Sequence, residues 1–159
     1  MKLKTLSIRL KVVLVGVALC GLVVYGWFFP QLGRSIVHSM PEFSYCYYPW
    51  LILLWVTGVP CYAALALGWR IACNIGKGCA FTLETAGLLR WISRLAVADA
   101  LFFLAANVVY LFLNMNHPGI VLCSLLVAFA GAAVSVACAG LSDLVKRAHE
   151  LQEQYDLTI

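Results

Sequence analysis

The stretch 119-GIVLCSLLVAFAGAAVSVACAGL-141 contains no charged residue, and it decides what kind of molecule this is. A helix crosses a hydrocarbon core of ~30 Å with roughly 20 mostly apolar residues. Three more stretches meet that requirement: 12–29, 48–69 and 89–113. Between them the four segments occupy most of the 159 residues, so the chain is a single domain, 1–159, with a tail at 142–159. Composition agrees, since 64% of residues are hydrophobic and 11% are charged, against about a quarter charged in soluble domains. Lipid is the natural solvent of such a chain. The expected fold is an all-α integral membrane four-helix bundle with a cytoplasmic C-terminal amphipathic helical extension.

The start of the chain pairs a basic segment with an apolar one, as a secretory leader does. Its apolar run is long, however, and ends in Trp27, Phe28, Phe29 and Pro30 instead of small residues. Leu19 precedes Cys20 where a lipoprotein site has a small residue, so 12–29 is read as a retained span. Of the 11 Lys and Arg residues, only Arg34 falls on the side of the first and third connections. Cytoplasmic loops collect Lys and Arg, which places both termini in the cytoplasm of a bacterial inner membrane. The net charge of +4 then belongs to a basic face meeting anionic lipid. No soluble basic surface remains for direct binding of nucleic acid.

Span four is rich in small residues. Ser124, Ala128 and Ala132 recur at four, as do Gly131, Ser135 and Ala139. Such residues let helix backbones approach closely, so this span is either the packing centre of the bundle or the seam of a homodimer. Span two holds Pro60, which removes a backbone donor and makes the span a candidate hinge; Thr57 is placed to satisfy a freed carbonyl. Span three holds Asp99. A carboxylate at mid-bilayer costs about 2.5–3.5 kcal/mol on insertion scales, so Asp99 is expected to be neutral and to face the bundle. Asn107, eight residues on, falls on nearly the same helix face. Ser135, Thr57 or Arg94 would be its partner. A proton or cation relay and a packing contact both remain open for Asp99.

The connections are less informative. His38 and Glu42 are four apart, but Pro41 stands between them and no third ligand follows, so the segment reads as a solvated loop. Tyr45, Tyr47, Tyr48 and Trp50, with Trp27 and Tyr110, form an aromatic belt, and Trp69 and Trp91 its counterpart on the other side. Of the seven cysteines, Cys73 and Cys79 lie close in sequence but lack the second pair a zinc site needs. No metal site is assigned. Gly76-Lys77-Gly78 lacks the Lys-Ser/Thr pair of a phosphate loop. It marks a turn, after which Thr82 caps a helix that runs from Leu83 into span three. With no nucleophile–base pair and no cofactor loop, the chain is expected to be neither an enzyme nor a cofactor binder.

The terminal segment 144-LVKRAHELQEQYDLTI-159 has no helix breaker before it. Leu141, Leu144, Val145, Ala148, Leu151 and Tyr155 fall at spacings of three and four, giving one apolar stripe. Asp143, Lys146, Arg147, Glu150 and Glu153 cover the other side. The stripe suits the chain's own cytoplasmic loop, a partner's groove or the membrane surface, the last disfavoured because interfacial helices carry basic polar faces.

This tail and 74-NIGKGCAFTLETAGLLRWISRLA-96 resemble two signature regions of a bacterial membrane family, domain-of-unknown-function family 2975. The matching residues are Ile75, Gly78, Phe81 and Thr82 in the turn, Pro60 in span two, Glu150–Glu153, and Asp156–Ile159. Where members commonly carry Glu-Asn, this chain has Glu84-Thr85 and Gln154-Tyr155. The resemblance implies four spans. It also implies a soluble partner, since members are commonly encoded beside a small helix-turn-helix regulator. The expected function is therefore a regulatory or adaptor protein whose cytoplasmic loop and tail hold a soluble transcriptional regulator. Leu144, Ala148, Glu150, Leu151, Glu153, Asp156, Leu157 and Ile159 are the candidate contacts. The alternative is a small proton-coupled transporter or immunity-type protein that uses Asp99.

Overall fold

The computed structural model describes residues 2–156. The elements are α1 (Lys2–Val23), a π-helical turn (Val24–Phe28), α2 (Phe29–Ser39), a 3₁₀ segment (Pro41–Cys46), α3 (Tyr47–Gly76), α4 (Leu83–Phe112) and α5 (Pro118–Asp156). Four of the resulting helical units are long and apolar enough to cross a membrane: 3–39, 41–76, 83–112 and 118–155. The protein is an all-α membrane bundle. Its surface is dominated by exposed Leu, Val, Ile, Phe and Trp, as lipid requires and water would not tolerate.

The helices pack in chain order. α1 lies on α3, α3 on α4, and α4 on α5, so α1 and α5 form the two flanks. The closest of these contacts joins α4 to α5 in antiparallel fashion. On α5, Ser124, Ala128, Gly131, Ser135, Cys138, Ser142 and Val145 are all buried or half-buried. On α4, Ala86, Leu89, Ser93, Ala96, Ala100, Phe103 and Asn107 are too. Both sets alternate steps of three and four, the spacing of a left-handed helix pair. Side chains this small bring the backbones together. A Cβ placed on Gly131 would stand 2.7 Å from that of Ala100. Polar groups close the seam as well, with the Ser93 and Ser135 hydroxyls paired at 2.9 Å and Ser142 Oγ donating to the Ala86 carbonyl at 2.7 Å. The small-residue face of span four is thus taken up by α4 of the same chain. Ala132, grouped with that face by its spacing, is exposed.

α1 is held differently. Ser7 is buried there and donates to the Ala72 carbonyl at 2.6 Å. Tyr62 donates to the Ala18 carbonyl at 2.8 Å and Trp55 Nε1 to the Tyr25 carbonyl at 3.1 Å. Side-chain-to-backbone bonds thus run both ways between α3 and the α1–π-turn unit, while almost all of α1's own large side chains face outward.

The first connection departs from the expected solvated loop. α1 runs through the π turn into α2, and the chain resumes in a 3₁₀ segment that begins at Pro41. His38 ends α2 and Glu42 opens the next segment, both exposed. Helix is the economical solution near lipid, because it satisfies backbone groups without outside partners. The aromatic belt then ties this end together. Trp50 Nε1 donates to the Met115 carbonyl, Tyr45 to that of Asn114 and Tyr110 to that of Pro49, each at 3.0–3.1 Å. At the other end Lys11 lies over the Trp69 ring and Arg94 over the Trp91 ring.

The seam predicts its own fragility. Gly131→Leu forces the α4 and α5 backbones apart and is expected to cost about 1–3 kcal/mol, read as a lower thermal midpoint in lipid nanodiscs. Gly16→Ala, where a Cβ meets nothing within 4 Å, is expected to be neutral or slightly stabilising.

Candidate functional site

Two regions bring chemistry-bearing side chains together. The first lies inside the membrane, on α3, between the π turn on one side and α4 on the other. Asp99 points at α3, not along the α5 seam. Its Oδ2 accepts a hydrogen bond from the Cys61 thiol at 3.8 Å. Its Oδ1 is buried with no hydrogen-bond partner. The Tyr25 ring, from the π turn, lies over Gly58, one turn before Cys61 on α3, within electrostatic reach of Cys61 and Asp99. A π turn inserts an extra residue and swings side chains off the regular helical register; such turns recur at functional sites.

The partners expected for Asp99 are engaged elsewhere. Ser135 pairs with Ser93, Thr57 Oγ1 donates to the Leu54 carbonyl at 2.8 Å, and Arg94 stacks on Trp91. Thr57 consequently serves its own helix one turn back and does not bond the Val56 carbonyl that Pro60 leaves without a donor. α3 continues through Pro60 without a break. Asn107 has a separate task. It is 0% exposed, donates to the Phe103 carbonyl at 2.8 Å, and accepts from Asn116 Nδ2 at 2.9 Å. Asn116 also donates to the Asn107 carbonyl and accepts from the His117 backbone N–H. This latch fastens the α4–α5 turn, and Asn107 belongs to the seam while Asp99 does not. Cys61 and Tyr25 were not singled out in the sequence, because a cysteine and a tyrosine in apolar surroundings resemble ordinary core and belt residues. The signal was their pairing with an intramembrane acid on another helix, which only packing reveals.

The second region is the end of the bundle where both chain ends emerge. Thr82 caps α4 by accepting from the Thr85 N–H at 3.3 Å. Thr85 is buried; its hydroxyl accepts from Asn74 Nδ2, pairs with the Thr82 hydroxyl and donates to the Cys79 carbonyl. Gly78 turns the chain at φ 84°, a conformation that glycine adopts without strain. Arg70 pairs with Glu84 at 2.9 Å across the turn. Here α5 passes α4. Val145 joins Ala86 and Leu89 in a buried cluster with Ile71 against it, and Asp143 pairs with Arg90 at 2.9 Å.

α5 continues beyond this cluster as unbroken helix to Asp156. Its apolar residues divide between two faces. Ser142 and Val145 face α4, whereas Leu144 is 64% and Leu151 55% exposed, with Leu141 beside them at 50%. Ala148 is half-buried, Glu153 is exposed, and Glu150 approaches Lys146 at 3.9 Å. Asp156 closes the helix, and Leu157 and Ile159 lie outside the described residues. Among the described residues no cluster of three or more His, Cys, Asp or Glu side chains is placed to hold a metal ion.

A multi-pass α-helical membrane protein with an intramembrane acid and a long helical tail is the class this structure defines. The chain belongs to a family of proteins of unknown function, DUF2975, whose model matches residues 31–159. It is similar to the uncharacterised membrane protein YoaS of Bacillus subtilis (strain 168), at 28% identity over 99% of each chain. No solved structure matches it.

Val145→Asp places a charge in the Ala86–Leu89–Val145 cluster. It is expected to release the tail from α4, read as faster tryptic cleavage at Lys146 and Arg147. Arg90→Ala removes only an exposed ion pair, worth about 0–1 kcal/mol, and is expected to leave that cleavage nearly unchanged.

Proposed function

We propose that this chain is a non-enzymatic regulatory or adaptor protein of the bacterial inner membrane. Its termini lie in the cytoplasm and its tail holds a soluble partner, a small helix-turn-helix transcriptional regulator. One observation carries the reading: the tail's exposed stripe, Leu141, Leu144 and Leu151, is separate from the residues that seat it on α4. If self-packing were the whole purpose of the tail, its large side chains would turn toward α4. Val145 does so, but Leu144 and Leu151 point away from it. Glu150 and Glu153 lie on the polar side of the tail, opposite the stripe, and an acidic polar face argues against adsorption to anionic lipid. The orientation is supported by the gathering of every Lys and Arg except Arg34 toward the end from which both chain ends emerge. A homodimer through the small-residue face of α5 is not part of this proposal, because α4 fills that face.

A second reading, a small proton-coupled transporter or immunity-type protein, draws on the buried, unbonded Oδ1 of Asp99. Asp99→Asn separates the two readings. Loss of a transport or resistance phenotype at normal membrane levels favours the second, and unimpaired partner binding in the same variant favours the first.

The adaptor reading is tested by co-purification from solubilised membranes, probed for a small helix-turn-helix regulator. The intact chain is compared with Leu144→Glu/Leu151→Glu, whose altered positions lie off the α4 contact. Burial of one leucine is worth about 1.5–3 kcal/mol, so recovery is expected to fall more than tenfold in the double variant. Equal recovery from both overturns the proposal. Raised salt is expected to weaken the complex further where Glu150 and Glu153 contribute.

A further inference from the structure

We propose that Asp99, Cys61 and Tyr25 form a proton-binding site within the membrane, shared by three helices. The inference stands apart from the adaptor reading and gives the transport reading its chemistry.

The argument is one of charge compensation. A carboxylate away from water needs a counter-charge or several hydrogen-bond donors. Among the described residues, Asp99 takes part in no ion pair. The nearest cation on its own helix, Arg94, has its guanidinium over Trp91, 5.5 Å from the ring centroid. α3 offers Asp99 a thiol, and the π turn a phenol, Tyr25, whose ring packs over Gly58 of α3 one turn from that thiol. α5 packs on the far side of α4, and between Ser124 and Ala137 it has no titratable residue at all. One oxygen thus has a single weak donor and the other has none. What completes the site is a small cation, bound and released.

The donor set selects which cation. A hard metal ion such as sodium or calcium gathers several oxygen ligands. Here the donor atoms brought together are two carboxylate oxygens and one soft sulfur, and among the described residues no group of three or more His, Cys, Asp or Glu is placed to hold a metal ion. That is too few for a metal ion and enough for a proton. Binding needs only that a proton join an Asp99 oxygen, giving a neutral acid, and its release restores the carboxylate. No other bond changes. The surroundings also make the event visible to the fold, because Tyr25 sits in the π turn whose carbonyl Trp55 holds. A change of charge at Asp99 acts on the thiol, the phenol and hence on the seating of α1.

The test is an infrared pH-difference spectrum of the intact protein in nanodiscs of neutral lipid, taken from mildly alkaline to mildly acidic buffer. A band from a protonated carboxyl is expected to grow with acid and to be lost in Asp99→Asn. The S–H stretch of Cys61, assigned by its loss in Cys61→Ala, is expected to shift over the same pH range in the wild type. In Asp99→Asn it is expected to be fixed. Tyr25→Phe is expected to move the midpoint without abolishing the band. Each variant is first matched to the wild type by circular dichroism; should Asp99→Asn fail that match, the wild-type and Cys61→Ala spectra decide. A wild-type spectrum with no carboxyl or S–H band that titrates overturns the proposal, as does a carboxyl band that survives in folded Asp99→Asn. A midpoint that moves when sodium replaces choline at equal ionic strength overturns it too, in favour of a metal-ion site.

Discussion

The close approach of α4 and α5 is the constraint on which the rest of this structure depends. In hydrocarbon there is no hydrophobic drive to bring two apolar helices together, because lipid tails satisfy leucine as well as another leucine does. Association must come from contact between backbones and from polar groups that find each other. The seam supplies both: a glycine facing an alanine with no room for another carbon, and hydroxyls at two levels, Ser93–Ser135 and Ser142–Ala86. Asn107 and Asn116 close it at the end where the chain turns back. Once this pair is set, α4 has a fixed rotation about its axis, and that rotation aims Asp99 at α3.

The number of spans, their approximate limits and the helical tail were legible because each rests on local properties. Charge-free length reads directly as a span, Thr82 as a cap, and the lack of a breaker after Gly140 as continuation. Which residues meet is a different kind of information. Asp99 and Asn107 look like companions on a helical wheel, yet one residue's offset, from Asp99 to Ala100, separates the α3 face from the α5 face. The small-residue spacing showed that span four packs closely without showing against what. The first connection departs from the expected loop for a related reason. Pro41 and several polar residues suggest a loop in water, whereas near a bilayer the chain keeps its backbone bonded by remaining helical.

The tail makes the same point with opposite sign. A three-and-four spacing described one stripe from Leu141 to Tyr155, and the structure resolves it into two. Val145 belongs to the face that Ser142 shares, and Leu144, one position earlier, lies about 100° away on the helix. A single apolar stripe can be spent on the protein's own core. Two stripes cannot both be, unless a further element covers the second.

The asymmetry of attachment gives the last step. α5 is bound to α4 along most of its membrane length. α1 and the π turn are held to α3 mainly by side-chain-to-backbone hydrogen bonds that run both ways. A change of charge at Asp99 therefore meets a rigid neighbour on one side and a more yielding one on the other. α4 touches both candidate regions, through Asp99 at mid-span and through Ala86, Leu89 and Arg90 where the tail is seated. Any influence of one region on the other passes through this helix or through α3 beside it. Such coupling is reciprocal in free energy: if protonation alters how the tail is seated, a partner on the tail must alter protonation by the same factor. The two regions are then parts of one device only if α4, or its fit against α3, has two arrangements that differ at both ends.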